Sequence, residues 1–275
     1  MQLSRGLATS AGPQALSLPH GEVVSVERIV GQSKHVVVRC RGALDSLGSW
    51  RSTRSHNWNG DVPVYRILAD VCALAGVRLD TAGAVSSQSA RQPAFITGPN
   101  ESGREIARRL LDLAPERCRP VEALLALTDP RSQPSPYAYG YSGHPLYSWD
   151  LRDGPVDPNH VQVYGRSSGG AVYGDALDSD EAARVGHRVL KLTDPAVSLA
   201  ADATGRAEAR LVVVAREARS GRLEGPSHLG VELWDEASVQ PAPTGPAVVR
   251  TVTAYEERYD PSRAEWRQAI HLGGE

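Results

Sequence analysis

The sequence predicts an α+β fold built on antiparallel sheets. Three observations carry that expectation: β-branched strand segments near the start, amphipathic helical stretches in both halves, and an alternating hairpin at the end. Strands, then helices, then strands again is the order expected when helices decorate antiparallel sheets instead of alternating with parallel strands. No period of solenoid length repeats.

Residues 1–20, rich in Gly, Ser, Pro and Ala, are expected to be an N-terminal arm. Glu22 to Val26 and His35 to Cys40 then read as a hairpin, separated by Gly31-Gln32-Ser33-Lys34. A helix is predicted from about Pro63 to Ala75, because Val64, Ile67, Leu68, Val71, Leu74 and Ala75 fall on one face. Asp61 is placed to cap it, and Gly76 suits the left-handed position beyond its end. Phe95-Ile96 precedes a turn at Gly98-Pro99-Asn100, and Ser102-Gly103-Arg104-Glu105 spells a capping box. The helix behind that box buries Ile106, Leu110, Leu111 and Leu113, and Pro115 stops it.

From Pro130 to Asn159 the composition turns to Pro, Gly and Tyr, which reads as a long ordered loop with short strands or as a domain junction. Tyr137, Tyr139, Tyr141 and Tyr147 offer rigid contact area to a core or to a partner. His160 to Tyr164, Ala171 to Tyr173 and Arg184 to Leu192 read as strands. Asp194-Pro195 is expected to open a helix reaching Ala218, whose stripe of Ala200, Ala203, Ala207, Leu211, Val214, Ala215 and Ala218 permits close approach of a sheet or another helix. Val231 to Trp234 is a strand candidate. After the break at Pro241-Ala242-Pro243, Val248 to Tyr255 and Trp266 to Leu272 form a hairpin across Asp260-Pro261-Ser262.

At 275 residues, the chain has length for about one to two domains. Its 41% hydrophobic and 23% charged residues suffice for a core without a staple, and a net charge of -2 excludes global attraction to nucleic acid or anionic membrane. Lys34 and Lys191 are the only lysines; GC-rich coding and the use of arginine at buried contacts both produce that bias. Cys40, Cys72 and Cys118 are odd in number and far apart, which argues against a disulfide framework or a zinc knuckle. Met1 to Leu18 lacks the pattern of a signal peptide, and no apolar run approaches the roughly 20 residues needed to span a bilayer, so assembly in the cytoplasm is the default expectation.

Gly165-Arg166-Ser167-Ser168-Gly169 matches the nucleophile elbow G-x-S-x-G, which needs a helix directly after the serine. Gly170 and the β-type Ala171-Val172-Tyr173 follow instead, so a glycine-rich turn is the better reading, with a serine hydrolase using Ser167 and a later histidine as the rival. His20, His35, His56, His144, His160, His187, His228 and His271 show no metal-ligand spacing. Asp175, Asp178, Asp180 and Glu181 lack the spacing of a calcium loop. Arg104, Arg108 and Arg109, and Arg206, Arg210, Arg216 and Arg219, sit mostly opposite apolar stripes, as solvated helix faces do. The expectation is no catalytic residue, no cofactor and no metal site.

The order of elements is more informative. Val64-Tyr65-Arg66-Ile67-Leu68 to Ala75-Gly76-Val77, then Phe95-Ile96 and Glu101 to Leu111, with Tyr139-Gly140 and His144-Pro145, resembles bacteriophage baseplate and tail hub proteins. Asn159 to Gly165, the long helix with Ala207 and Leu211, Gly230 to Asp235 and the closing hairpin from Val249 to Gly273 extend the likeness over about residues 21–273. The resemblance implies two β-barrel-like hub domains with helical insertions, over residues 21–158 (reduced) and 159–275. It implies a structural virion component in the tail: a ring, as a homotrimer, that closes the tail tube and joins it to spike or fibres. Its partners would be the tail tube protein, distal tail or baseplate proteins, the tape-measure protein, and DNA passing without sequence-specific binding. A hub from a bacterial contractile injection system would share the architecture. Such hubs begin with several strands before the one matching Glu22 to Val26, so a neighbouring chain is expected to complete the first domain.

Overall fold

The computed structural model describes residues 4–9, 12–17, 19–30, 34–82, 92–114, 116–129, 137–194, 197–240, 242–260, 262–263 and 265–273. They form two compact units, Met1–Leu111 with Cys118–Thr128, and Asp112–Arg117 with Asp129–Glu275. The division falls upstream of the expected 158/159 boundary because residues 137–151 supply two strands to the C-terminal sheet.

In the first unit, β1 (Ser4–Thr9) and β2 (Gly12–Ser17) pair antiparallel, so the expected arm contains a hairpin. Gly12 enters β2 at φ +109°, a conformation open to glycine, and the Gly- and Pro-rich composition hid the pairing. β3 (Glu22–Val30) and β4 (Lys34–Arg41) form the expected hairpin, with a bulge between Val23 and Ser25; the expected turn at 31–33 lies outside the described residues. A short helix, α1 (Ala43–Ser49), follows without having been expected. Next come β5 (His56–Asn59), α2 (Val64–Leu74), β6 (Arg78–Asp80), β7 (Ala94–Thr97), α3 (Gly103–Leu111), β8 (Arg117–Val121) and β9 (Leu124–Thr128). β5 pairs with β7, and a three-stranded sheet runs β6-β9-β8.

Helix α2 buries Val64, Ile67, Leu68, Val71 and Cys72 as its period predicts, while Leu74 in the last turn is 47% exposed. Asp61 does not cap it. The chain enters through Pro63, whose carbonyl accepts from Arg66 N at 2.9 Å and Ile67 N at 3.1 Å, and Gly76 leaves at φ +71°. Burial pushes the Cys72 thiol up to about 12, so it behaves as a core residue rather than a nucleophile. The capping box forms as written. Glu105 N donates to Ser102 Oγ at 3.2 Å, and Ser102 N donates back to Glu105 Oε2 at 2.8 Å. Behind it Ile106 and Leu110 are fully buried, each contributing about 2 kcal/mol of hydrophobic stabilisation. The expected stop, Pro115, lies outside the described residues.

The second unit contains β10 (Tyr137–Gly140), β11 (Ser148–Leu151), β12 (His160–Ser167), β13 (Gly170–Leu177), α4 (Ser179–Val185), β14 (Val189–Thr193) and α5 (Ala200–Ala218). It ends with β15 (Gly221–Pro226), β16 (Glu236–Gln240), β17 (Val248–Asp260) and β18 (Glu265–Leu272). Six strands ordered β10-β16-β17-β18-β15-β11 curl into half a barrel around Tyr139, Leu223, Val231, Ala237, Val239, Val252, Ile270 and Leu272. A second sheet, β13-β12-β14, is covered by α5 through Val161, Val163, Val197, Ala203 and Ala207. The fold is thus α+β with a barrel-like sheet and helical additions. The pairs β6–β9, β10–β16 and β12–β14 are parallel, however, where antiparallel ladders were expected.

Three element expectations are corrected. The first half of the segment Arg184 to Leu192 belongs to a helix and its exit: Asp178 caps α4 by accepting from Glu181 N at 3.0 Å, and Gly186 ends it at φ +81°. Only Val189–Thr193 is strand. Helix α5 starts at Ala200 rather than at Asp194-Pro195, with Leu199 as its N-cap residue. Val231 to Trp234 is a turn: Trp234 sits at φ +74° and its N–H donates to Val252 O at 2.7 Å, and the strand follows at Glu236.

Candidate functional site

The serine of the elbow motif lies at the β12–β13 hairpin. Ser167 pairs with Gly170, its Oγ accepts from Gly169 N at 3.3 Å, and it donates to Gly170 O at 3.3 Å. A strand follows the turn, so the helix N-terminus that an elbow aims at an oxyanion is replaced by β13. The motif's first glycine is explained by packing. A Cβ on Gly165 would lie 2.1 Å from Val197 O, so only glycine lets the segment before α5 approach β12. Gly174 does the same on β13, where a Cβ would lie 2.2 Å from Thr204 N of α5. The serine hydrolase reading loses its geometric basis.

The acidic group is spent on local structure. Asp178 is the cap of α4, and Glu181 is paired with Arg184 at 2.7 Å and accepts from Val156 N at 3.1 Å. The Arg184 hydrogen bond, more than any other influence, holds the Glu181 carboxyl below its ordinary value. Asp175 meets His160 Nε2 at 3.1 Å. Among the described residues no group of three His, Cys, Asp or Glu side chains is arranged to hold a metal. His144 lies 4.8 Å from His228, ring to ring, and its Nε2 bonds Pro226 O at 2.8 Å; His160 lies 5.6 Å from His187.

Several arginines read as a solvated face pair within the subunit. Arg104 meets Asp45 at 3.0 Å, Arg109 meets Glu101 at 2.6 Å and lies over Phe95, and Arg206 bonds Asp194. Arg210 is 4.0 Å from Glu217, and Arg216 lies 5.7 Å above the Trp234 ring. The tyrosine segment splits by role. Tyr139 is in the half-barrel core, and Tyr137 Oη donates to Gly230 O at 2.8 Å. Tyr141 and Tyr147 are exposed, the latter beneath Arg267.

A groove of about 570 Å³ on the outer face of the half-barrel is lined by Asp150, Arg152, Arg222, Glu256 and His271. Arg152 pairs with Asp150 at 2.7 Å and Arg222 with Glu224 at 2.7 Å, so much of its charge is mutually satisfied. Two further surfaces are apolar. On the two-stranded β3–β4 sheet, Val26 opposes Val38 and Val23 opposes Cys40, and Val23, Val24, Val26, Val38 and Cys40 are exposed. On the face of β13-β12-β14 carrying His160, the cross-strand pair Tyr164 and Tyr173 and the end residues Leu177 and Val189 are also exposed. Sequence reasoning had singled out none of these faces, because register across strands decides which residues become neighbours. No described helix is long and apolar enough to cross a membrane.

The described surface combines a charged groove with exposed apolar strand faces, on a fold of barrel-like sheet with packed helices. That fold is shared with phage tail proteins. The tail protein from Neisseria meningitidis MC58 matches at TM-score 0.69 with 12% identity, covering 96% of this chain and 83% of that one. The 43 kDa tail protein of prophage MuSo2 from Shewanella oneidensis matches at TM-score 0.65 with 12% identity, covering 99% and 89%. A component of the Escherichia coli type VI secretion system, itself described as similar to T4 bacteriophage tail proteins gp27 and gp5, matches at TM-score 0.55 with 11% identity, covering 99% and 64%. By sequence, no family model and no curated protein matches the chain.

Proposed function

We propose that this chain is a structural component of a phage-type tail, serving as the hub ring that closes the tail tube and joins it to the tip spike or fibres. The observation that carries the reading is the whole-length likeness: tail proteins share the fold over 96% and 99% of the chain, so both units are accounted for rather than one common module. The exposed valine face of β3–β4 supports it, because a two-stranded sheet with an apolar face gains stability when a neighbour covers it. In this reading the chain forms a homotrimeric ring, and its two compact units act as the two hub domains. The ring contacts tube, baseplate and tape-measure proteins in the virion while DNA passes through its pore. The work is mechanical, not catalytic. Native mass spectrometry of the purified full chain tests this: a species of three times the 29.5 kDa chain mass is expected, and a monomer at all concentrations would contradict it.

The type VI secretion match favours a second setting for the same architecture, the hub of a bacterial contractile injection system. Antibody detection of the chain in purified capsid-bearing virions supports the phage setting. Detection only in capsid-free, sheathed particles supports the second.

A further inference from the structure

We propose that a groove at the C-terminal end of α5 receives an acidic side chain from a neighbouring protein subunit, a proposal that rests on the assembly reading above. The groove holds about 240 Å³, and its walls include Arg216, Arg219 and Arg250, with Ala215, Val249 and Glu236 beside them. Arg250 is the centre of the argument. It is only 8% exposed, yet its guanidinium is incompletely used: one terminal nitrogen donates to Val249 O at 2.9 Å, the other bonds Asp153, and the buried Nε has no hydrogen-bond partner. A buried charged donor left unmatched is costly, and Asp153, whose side chain is 65% exposed, is a well-solvated and weak counter-charge.

Arg219 makes the imbalance worse. It forms no ion pair among the described residues and is close enough to Arg250 that its charge helps draw the Arg250 pKa below its ordinary value, behind the larger effect of burial. The carbonyl ends of α5 account for arginines in its last turn, and stacking on Trp234 accounts for Arg216. Neither accounts for burying Arg250 beside a second cation. An incoming carboxylate bonded to the exposed Arg219 does, because its negative charge offsets both guanidiniums, while the solvent-closed Nε of Arg250 senses that charge without being bonded. The walls select a protein carboxylate over a nucleic-acid backbone: Ala215 and Val249 suit the methylenes of a side chain, and Glu236 repels a polyanion.

The test follows the arginine Nε–H resonances of the ¹⁵N-labelled full chain during titration with N-acetylglutamate amide. N-acetylglutamine amide, sodium chloride and a short single-stranded oligonucleotide at matched ionic strength serve as comparators. A saturating shift at Arg250 with the glutamate probe is expected, about tenfold weaker in Arg219→Ala, whose exposed position leaves folding intact. Severalfold tighter binding is expected in Glu236→Gln. Equal shifts from the glutamine probe or from salt, or tighter binding of the oligonucleotide, would overturn the proposal. The titration is run where the chain is monomeric, since a neighbour in a ring would fill the groove itself: no saturable shift there, with rings forming on concentration, loses this inference alone, whereas a chain that stays monomeric at all concentrations loses the assembly reading.

Discussion

At the scale of single residues, glycines and caps matter more than any nucleophile. Gly165 and Ser167 share one motif yet carry opposite expectations. Gly165→Ala places a Cβ 2.1 Å from Val197 O and is expected to destabilise the chain by about 1–3 kcal/mol in urea unfolding. Ser167→Ala removes only bonds within an exposed turn and is expected to stay within about 0.5 kcal/mol of the parent. A hydrolase would show the reverse ordering in activity. Ser102→Ala removes the acceptor that caps α3 and is expected to cost about 1 kcal/mol. The Ser102 side-chain bond, then its backbone bond, holds the Glu105 carboxyl below its ordinary 4.5. A carboxyl depressed in the folded state contributes stability that is fully present above 4.5 and is lost as pH falls through its lower folded value. Stability of the parent is therefore expected to fall more steeply with acid than that of Ser102→Ala, as read by unfolding midpoints on either side of 4.5.

At the scale of elements, the exposed valines give the sharpest expectation. Val26→Asp on β3 leaves the isolated subunit within about 0.5 kcal/mol of the parent, because Val26 is 56% exposed. The same change is expected to shift the assembled form toward monomer in analytical ultracentrifugation. What the sequence made legible was local. The capping box, the buried stripe of α2, the β3–β4 hairpin and the β17–β18 hairpin each depend on residues a few positions apart, and each was read from spacing alone. The small-residue face of α5 reads as a close-packing surface, and Gly174 is its counterpart across the interface. The rest was set by distant partners. Nothing near Val231 announces that Trp234 turns at positive φ to bond Val252, and nothing near Tyr137 announces a parallel ladder with Ala237 to Gln240. Helix α4 was hidden because it is short, Ser179–Val185, and buries only Ala182, so no apolar stripe at the helical period marks it. The arginine groove was invisible for the same reason: Arg219 and Arg250 meet only because α5 ends beside β17.

At the scale of the whole molecule, two units with sheets of two, three and six strands leave edges and exposed apolar faces among the described residues. The tail proteins that share this fold do so at 12% identity, so what is held in common is the arrangement of elements rather than any particular side chain. The most direct measurement is single-particle electron cryomicroscopy of the purified full-length chain. Class averages should show closed rings with an open centre and a neighbouring subunit seated against β3–β4. Discrete single subunits with that face bare would contradict the account.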